Sequence, residues 1–267
     1  MIKVGLAGLG AIGLPVAAAL HRGIPGLQLA AVSARREENA RQKLQAAGID
    51  APVMPIARLV ERADVVVECA PAQAFRAIAE PVLEASRTLI TVSGAALLEA
   101  GDLVALAEKK GARIILVTGA LLGLDAVRAA AERHIAMIKM ISRKPPLSLK
   151  GAPYLAAHGI DITAITAPRC IFKGSAREGA RGFPANVNVA AALSLAGIGP
   201  DRTELEIWAD PTVTRNIHRI EVEADSARFS MTIENLPSVE NPSTGQMTPL
   251  SVIAALRSLT APLRVGT

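Results

Sequence analysis

Residues 8–13 read Gly-Leu-Gly-Ala-Ile-Gly, and their setting constrains the fold more than any other stretch of the chain. The apolar run 2–7, IKVGLA, leads into them, and an Ala- and Leu-rich stretch of helical character, 11–22, follows. A GxGxxG pattern is weak by itself. Between a strand and a helix at the start of a βαβ unit it specifies a phosphate-binding turn. Gly8 permits the tight turn, Gly10 lets the backbone approach a pyrophosphate, and Gly13 lets helix and strand pack closely. Ala11 and Ile12 join them at the mouth of the helix, where free N–H groups and a partial positive charge favour an anion. The alternative is a glycine-rich turn without a ligand.

The alternation continues through residue 118. Apolar runs at 27–33 (LQLAAVS), 64–69 (DVVVEC), 88–93 (TLITVS) and 113–118 (RIILVT) are separated by helical stretches at 37–47, 72–85 and 98–110. Buried strands alternating with helices of this length predict a parallel sheet. Beyond a helical stretch at 124–133 the pattern changes. In 203–209 Leu205 and Ile207 oppose Glu204 and Glu206, and in 215–224 Ile220 and Val222 oppose Arg219, Glu221 and Glu223. In 227–235 Phe229, Met231 and Ile233 oppose Arg228, Ser230 and Thr232. Such strands have one wet face, as in antiparallel sheets covered on one side. A helix at 186–196 can cover the dry face, and Ser175 with Glu178 fits a capping box. The fold class is therefore α/β: an N-terminal Rossmann-type parallel-sheet domain, 1–118, then an α+β substrate domain, 119–245, with a mostly antiparallel sheet. In the tail, 246–267, the stretch 248–259 (TPLSVIAALRSL) reads as an apolar helix that returns to the first domain.

Composition narrows the function classes. Apolar residues make up 51% and charged residues 20%, as in a globular protein. Aromatics are only 2%, which argues against a base-stacking platform for single-stranded nucleic acid. The net charge of +5 comes from scattered basic residues and not from a basic arm, so anionic small ligands are expected and nucleic acid is not. Cys69 and Cys170 are too few and too far apart for a disulfide framework or a CxxC zinc site, and no metal is expected. No apolar run reaches the roughly 18 residues of a membrane span, and the N-terminus lacks a charged leader followed by an apolar core and a cleavage site, so a cytoplasmic protein is expected.

The end of the second strand bears on which dinucleotide is bound. An NAD site usually carries Asp or Glu there, about 20 residues past the glycines, on the ribose 2′-hydroxyl. This chain has Ser33-Ala34-Arg35-Arg36 instead. A serine and two arginines suit a 2′-phosphate, so NADP is expected to bind at least as well as NAD; solvated loop arginines are the alternative. Ala70, just past the run 64–69, is grouped with the cofactor-binding residues. His218 shares strand parity with Ile220 and Val222 and so points inward. An inward histidine can be a general acid–base group or a hydrogen-bonded core residue. His21, His134 and His158 lie near helix ends or turns and read as surface or capping residues.

The stretches FKGSAREGARGFPANVNVAAALSLAGIG, WADPTVTRNIHRIEVE and IENLPSVENPSTGQMTPLSVIAAL, with GLAGLGAIG at the start and TGALLGLDA at 118–126, resemble the L-aspartate dehydrogenase family over nearly the whole chain. The resemblance implies a Rossmann domain with an α+β substrate and dimerisation domain, a homodimer, and oxidation of L-aspartate to iminosuccinate with NAD or NADP. That imine either hydrolyses to oxaloacetate and ammonia or feeds NAD synthesis. It also implies that His218, in N-I-H, is the acid–base residue. Asn188, in F-P-x-N-x-N, and Ala120, in the S-G-A pattern, would contact the cofactor. Thr118 stands where the family more usually has Ser. Asn188 read by itself could also be a helix cap. The substrate carboxylates need cationic or N–H partners, for which Lys173, Ser175 and Arg177, in the loop and capping-box helix before Asn188, are candidates; a solvated loop is the alternative. Two other functions are weighed: another two-domain NAD(P) reductase of the dihydrodipicolinate or homoserine type, and a dinucleotide-binding regulator without turnover.

Overall fold

A computed structural model describes residues 1–238 and 245–266. The chain forms two compact units, Met1–Val117 with Thr248–Arg264, and Thr118–Met247 with the last residues.

The first unit runs β1 (Ile2–Ala7), α1 (Gly13–Arg22), β2 (Leu27–Ser33), α2 (Glu37–Ala46), α3 (Ile56–Arg62), β3 (Val65–Glu68), α4 (Phe75–Glu84), β4 (Thr88–Thr91), α5 (Gly94–Leu98), α6 (Asp102–Lys110) and β5 (Arg113–Leu116). Its strands form one sheet in the order β2-β1-β3-β4-β5, and every adjacent pair is parallel. Both faces are covered. Val4, Leu6, Val67 and Ile90 face a core that includes Val16 and Leu20 of α1. Val66 and Leu89 face a second core with Leu59 of α3, Phe75 and Val82 of α4 and Leu103 of α6. Burial on both faces explains why these strands read as continuous apolar runs. The order of the strands reverses between β1 and β3, and ligands of open α/β sheets bind beyond the strand ends at such a switch point.

The second unit runs α7 (Leu124–Ala131), β6 (Ile135–Lys144), α8 (Pro153–Ala157), β7 (Arg169–Ser175), α9 (Ala176–Gly182), α10 (Asn188–Ala196), β8 (Glu204–Ala209), β9 (Asn216–Ala224) and β10 (Arg228–Asn235). Its sheet has the order β10-β9-β6-β8-β7. Three neighbouring pairs are antiparallel, and β6 with β8 is parallel. The inward face carries Ile138, Met140, Leu205, Ile207, Ile220 and Val222, all 1% exposed or less. A Cβ on Gly197, just past α10, would strike Ile138 and Val127 of α7, and one on Gly179 of α9 would strike Leu205. These close approaches seat the helices on the sheet.

The central strand β6 and the edge strand β7 are not among the strands read from sequence pattern. In β6, IAMIKMISRK, Ser142 and Lys144 point inward with Ile138 and Met140, while Met137 and Ile141 lie on the outer face. The polar and apolar positions exchange faces along the strand and hide its period of two. Consequently Lys173 and Ser175, expected in a loop, lie in β7.

The tail forms α11 (Met247–Ser258). Val252 and Leu256 enter the same core as Val4 and Leu20, and Thr260 Oγ1 donates to the Pro25 carbonyl at 2.7 Å. No helix among the described residues is long and apolar enough to cross a membrane.

Candidate active site

In the first unit the glycine turn joins β1 to α1 beside the chain leaving β3. Gly8 has φ +107°, and its N–H donates to the Ser33 carbonyl at 2.8 Å. A Cβ on Gly8 would lie 2.7 Å from the Cys69 carbonyl oxygen, and one on Gly13 would be driven into the Gly8 carbonyl oxygen. A Cβ on Gly10 would meet nothing within 4 Å, so the approach to its backbone is open. No side chain caps α1 at Ile12 and its first turn holds no acid, so the positive end of the helix is free to meet an anion. A cleft of about 550 Å³ opens there, lined by Ala7, Gly8 and Leu9 after β1, Ser33, Arg35 and Arg36 after β2, and Ala70 after β3. These residues fit a dinucleotide: a glycine cradle for phosphates and two cations at the second strand end.

Ala11 and Ile12 are half-buried at the helix mouth. Arg35 and Arg36 are exposed and pair with no carboxylate among the described residues, while Glu37 and Glu38 engage Arg41 of their own helix. Behind Ala70, the fully buried Glu68 accepts from the Ala70 N–H at 2.9 Å and from Thr91 Oγ1 at 2.6 Å. Burial pushes its pKa up, opposed by those hydrogen bonds. Glu68 thereby ties the chain after β3 to the end of β4.

In the second unit His218 is 3% exposed, on β9 between Ser142 of β6 and Ile233 of β10. Its Nδ1 shares a hydrogen bond with Ser142 Oγ at 2.8 Å. Burial first, and then the positive charge of Lys144, push its pKa down to about 3, so the imidazole is neutral at pH 7. Lys144, 4% exposed, ends β6 on the same face, and burial lowers its pKa to about 8. Asn216 pairs across from Asn235 at this end of the sheet, and both are buried with amide oxygens that meet no hydrogen-bond donor among the described residues. The Asn235 side-chain amide donates to the Ala120 carbonyl at 2.8 Å and so holds the 118–123 segment against β10. Ser142 and Lys144 escaped the sequence reading; their parity with Ile138 and Met140 was the available signal.

Asn188 is the first residue of α10, with Val187 at the cap position, so capping is not its role. Asn186, two residues earlier, is 9% exposed with an unpartnered amide oxygen.

The structure does not bring the three candidate carboxylate-binding residues to the face of His218. Lys173 is opposite Glu206 on the outer face, 3.7 Å from its carboxylate, and its side chain is 71% exposed. Ser175 caps α9 in a reciprocal capping box with Glu178. Arg177 makes a paired hydrogen bond to Asp201 at 2.6 and 2.9 Å. Among the described residues no cluster of three or more metal-ligating side chains occurs.

Residues 8–117 match the family described as homoserine dehydrogenase, NAD binding domain, and residues 125–259 match aspartate dehydrogenase, C-terminal. The L-aspartate dehydrogenase of Bradyrhizobium diazoefficiens is 56% identical over 268 residues, covering 100% of this chain and 94% of the relative. That of Methanosarcina barkeri is 37% identical over 271 residues and covers 100% of each. The crystal structure of aspartate dehydrogenase from Thermotoga maritima matches 100% of both chains with a TM-score of 0.74 at 22% identity, a likeness of fold. Full-length relatives and a family match spanning the unit that holds His218 lead to one conclusion: the chain belongs to the L-aspartate dehydrogenase family.

Proposed function

We propose that this protein oxidises L-aspartate to iminosuccinate with a pyridine nucleotide, and that it runs the reverse reductive amination from oxaloacetate and ammonia. Family membership supports the substrate. The observation that carries the mechanism is His218, buried on a face that also holds the buried Lys144, which pairs with no carboxylate among the described residues, and two amide oxygens without a donor there. A nicotinamide held at the glycine turn would supply the acceptor for the hydride that leaves the substrate Cα. His218 manages the proton. As Cα–H leaves with its electron pair, the amine lone pair forms the C=N bond and one N–H proton goes to the imidazole. Ser142 occupies Nδ1, which leaves Nε2 as the nitrogen that exchanges this proton. The serine hydroxyl accepts from Nδ1–H both in the neutral tautomer with bare Nε2 and in the imidazolium, so one geometry serves both directions.

The cofactor preference follows from the end of β2. With Ser33 there in place of an acid, and Arg35 and Arg36 lining the cleft, we infer that NADP is bound at least as well as NAD. Ala120 and Asn188 are assigned to cofactor contact on the family resemblance, which also supports a homodimer.

The direct test is consumption of NADH and of NADPH, side by side, by purified protein given oxaloacetate and ammonia. Turnover that needs both substrates establishes the reaction. Cofactor binding without turnover would return weight to a non-catalytic dinucleotide-binding protein. Replacing Arg35 and Arg36 with uncharged residues should weaken NADPH binding much more than NADH binding; equal loss for both would remove them from cofactor choice.

A further inference from the structure

Lys144 is a buried cation without a counter-ion among the described residues. It ends β6 on the inward face, 4% exposed, and pairs with no carboxylate among the described residues. The outer face of the same strand is treated differently. Arg143 pairs with Asp210 at 3.1 Å and lies over the Trp208 ring, and Lys139 pairs with Glu206 at 2.9 Å. The outward cations of this strand thus have carboxylate partners, and the inward one has none among the described residues. Burying an unpaired ammonium is costly, and a fold that keeps one gains something else from it.

The neighbours of Lys144 indicate what it awaits. Ser142 and His218 form the adjacent cross-strand pair on its face. Asn216 and Asn235 form the next pair along β9 and β10, with amide oxygens that accept from nothing among the described residues. Unpaired acceptors suit the hydrogens of an amino group, an unpaired ammonium suits a carboxylate, and the imidazole in the adjacent cross-strand row exchanges a proton. The cations expected to serve the carboxylates lie elsewhere, Lys173 exposed on the outer face of the sheet and Arg177 bonded to Asp201.

On the reading that the substrate is an amino dicarboxylate, on which this inference rests, we propose that Lys144 is the residue that receives a substrate carboxylate beside His218. Lys144→Met keeps the length of the side chain and removes the charge, and Lys144→Gln keeps a hydrogen-bond donor in its place. In the NADP-loaded enzyme, either variant should raise the KM for L-aspartate about 10- to 100-fold, the range of a hydrogen bond to a charged group. NADPH binding, followed by fluorescence, should stay within about twofold. The melting temperature should hold or rise, because a charge that the folded protein does not compensate has been removed.

Calorimetric titration of the holoenzyme with succinate, a dicarboxylate that cannot react, should show the same loss of affinity. Unchanged KM together with unchanged succinate affinity would overturn the proposal. So would variants that fail to fold or lose NADPH binding in parallel, because Lys144 would then be part of the framework. A wild-type enzyme that ignores aspartate yet binds succinate through Lys144 would sink the aspartate reading and keep the carboxylate site. Aspartate turnover with normal KM in both variants would do the reverse.

Discussion

At the scale of single residues, His218 carries the heaviest assignment. His218→Ala should leave NADPH affinity unchanged and lower turnover by about 100-fold or more, the usual contribution of an acid–base group. Steady-state rates beside a fluorescence titration check both halves, and near-normal turnover would remove His218 from the mechanism. Its burial also makes it a pH-dependent liability. The folded-state pKa is depressed to about 3 against 6.5 for the free side chain. Between those values the unfolded chain binds the proton and the folded chain does not, so stability falls as pH drops below 6.5. By pH 5 this amounts to about 2 kcal/mol. Urea unfolding at pH 7 and pH 5 should therefore show a smaller loss for His218→Gln than for the parent. Equal losses would mean that the imidazole is protonated in the folded state. Inward orientation of His218 was legible from strand parity. Its depressed pKa was not, because burial and the charge of Lys144 both come from the packed structure.

At the scale of elements, local signals were read well where the backbone decides. The turn at Gly8 to Gly13 is governed by contacts within a few residues and by the strand beside it, and a GxGxxG pattern reports them directly. The capping box at Ser175 is also local, and its members bond each other as the spacing predicts. That same bond argues against a substrate role for Ser175. Ser175→Ala should cost about 1 kcal/mol of stability through loss of the cap. The KM for aspartate should not change, and thermal unfolding with steady-state kinetics tests the pair. A raised KM would restore Ser175 to the substrate site. Strand β6 shows the opposite case. Its inward Ser142 and Lys144 break the alternation that would have revealed it, and sequence rules are expected to fail at such functional positions.

At the scale of the whole molecule, each unit has its own architecture, and the first is completed only by the end of the chain. Val252 and Leu256, both fully buried, fill the core under β1 and β3 from a helix more than 130 residues beyond β5. Each such side chain stabilises the fold by about 1.5–3 kcal/mol relative to exposure. A chain ending at Met247 should therefore lose NADPH binding and unfold at a lower temperature, with the loss concentrated in the first unit. Calorimetry and hydrogen exchange would locate it, and full NADPH affinity in the truncated chain would show that α11 is dispensable.

The sequence alone determined the parallel sheet, the glycine turn, the alternating strands β8 to β10 and the inward face of His218. All of these follow from spacing along one segment, because backbone geometry ties residue type to position over a few residues. The tertiary structure decided which side chains meet. Ser142 and His218 lie 76 positions apart and join only through the register of β6 on β9. Lys173 and Arg177 are turned to Glu206 and Asp201 by the pairing of β7 with β8 and by the seat of α9. Register across a sheet is set by the packing of both faces at once, and no spacing within a single segment encodes it.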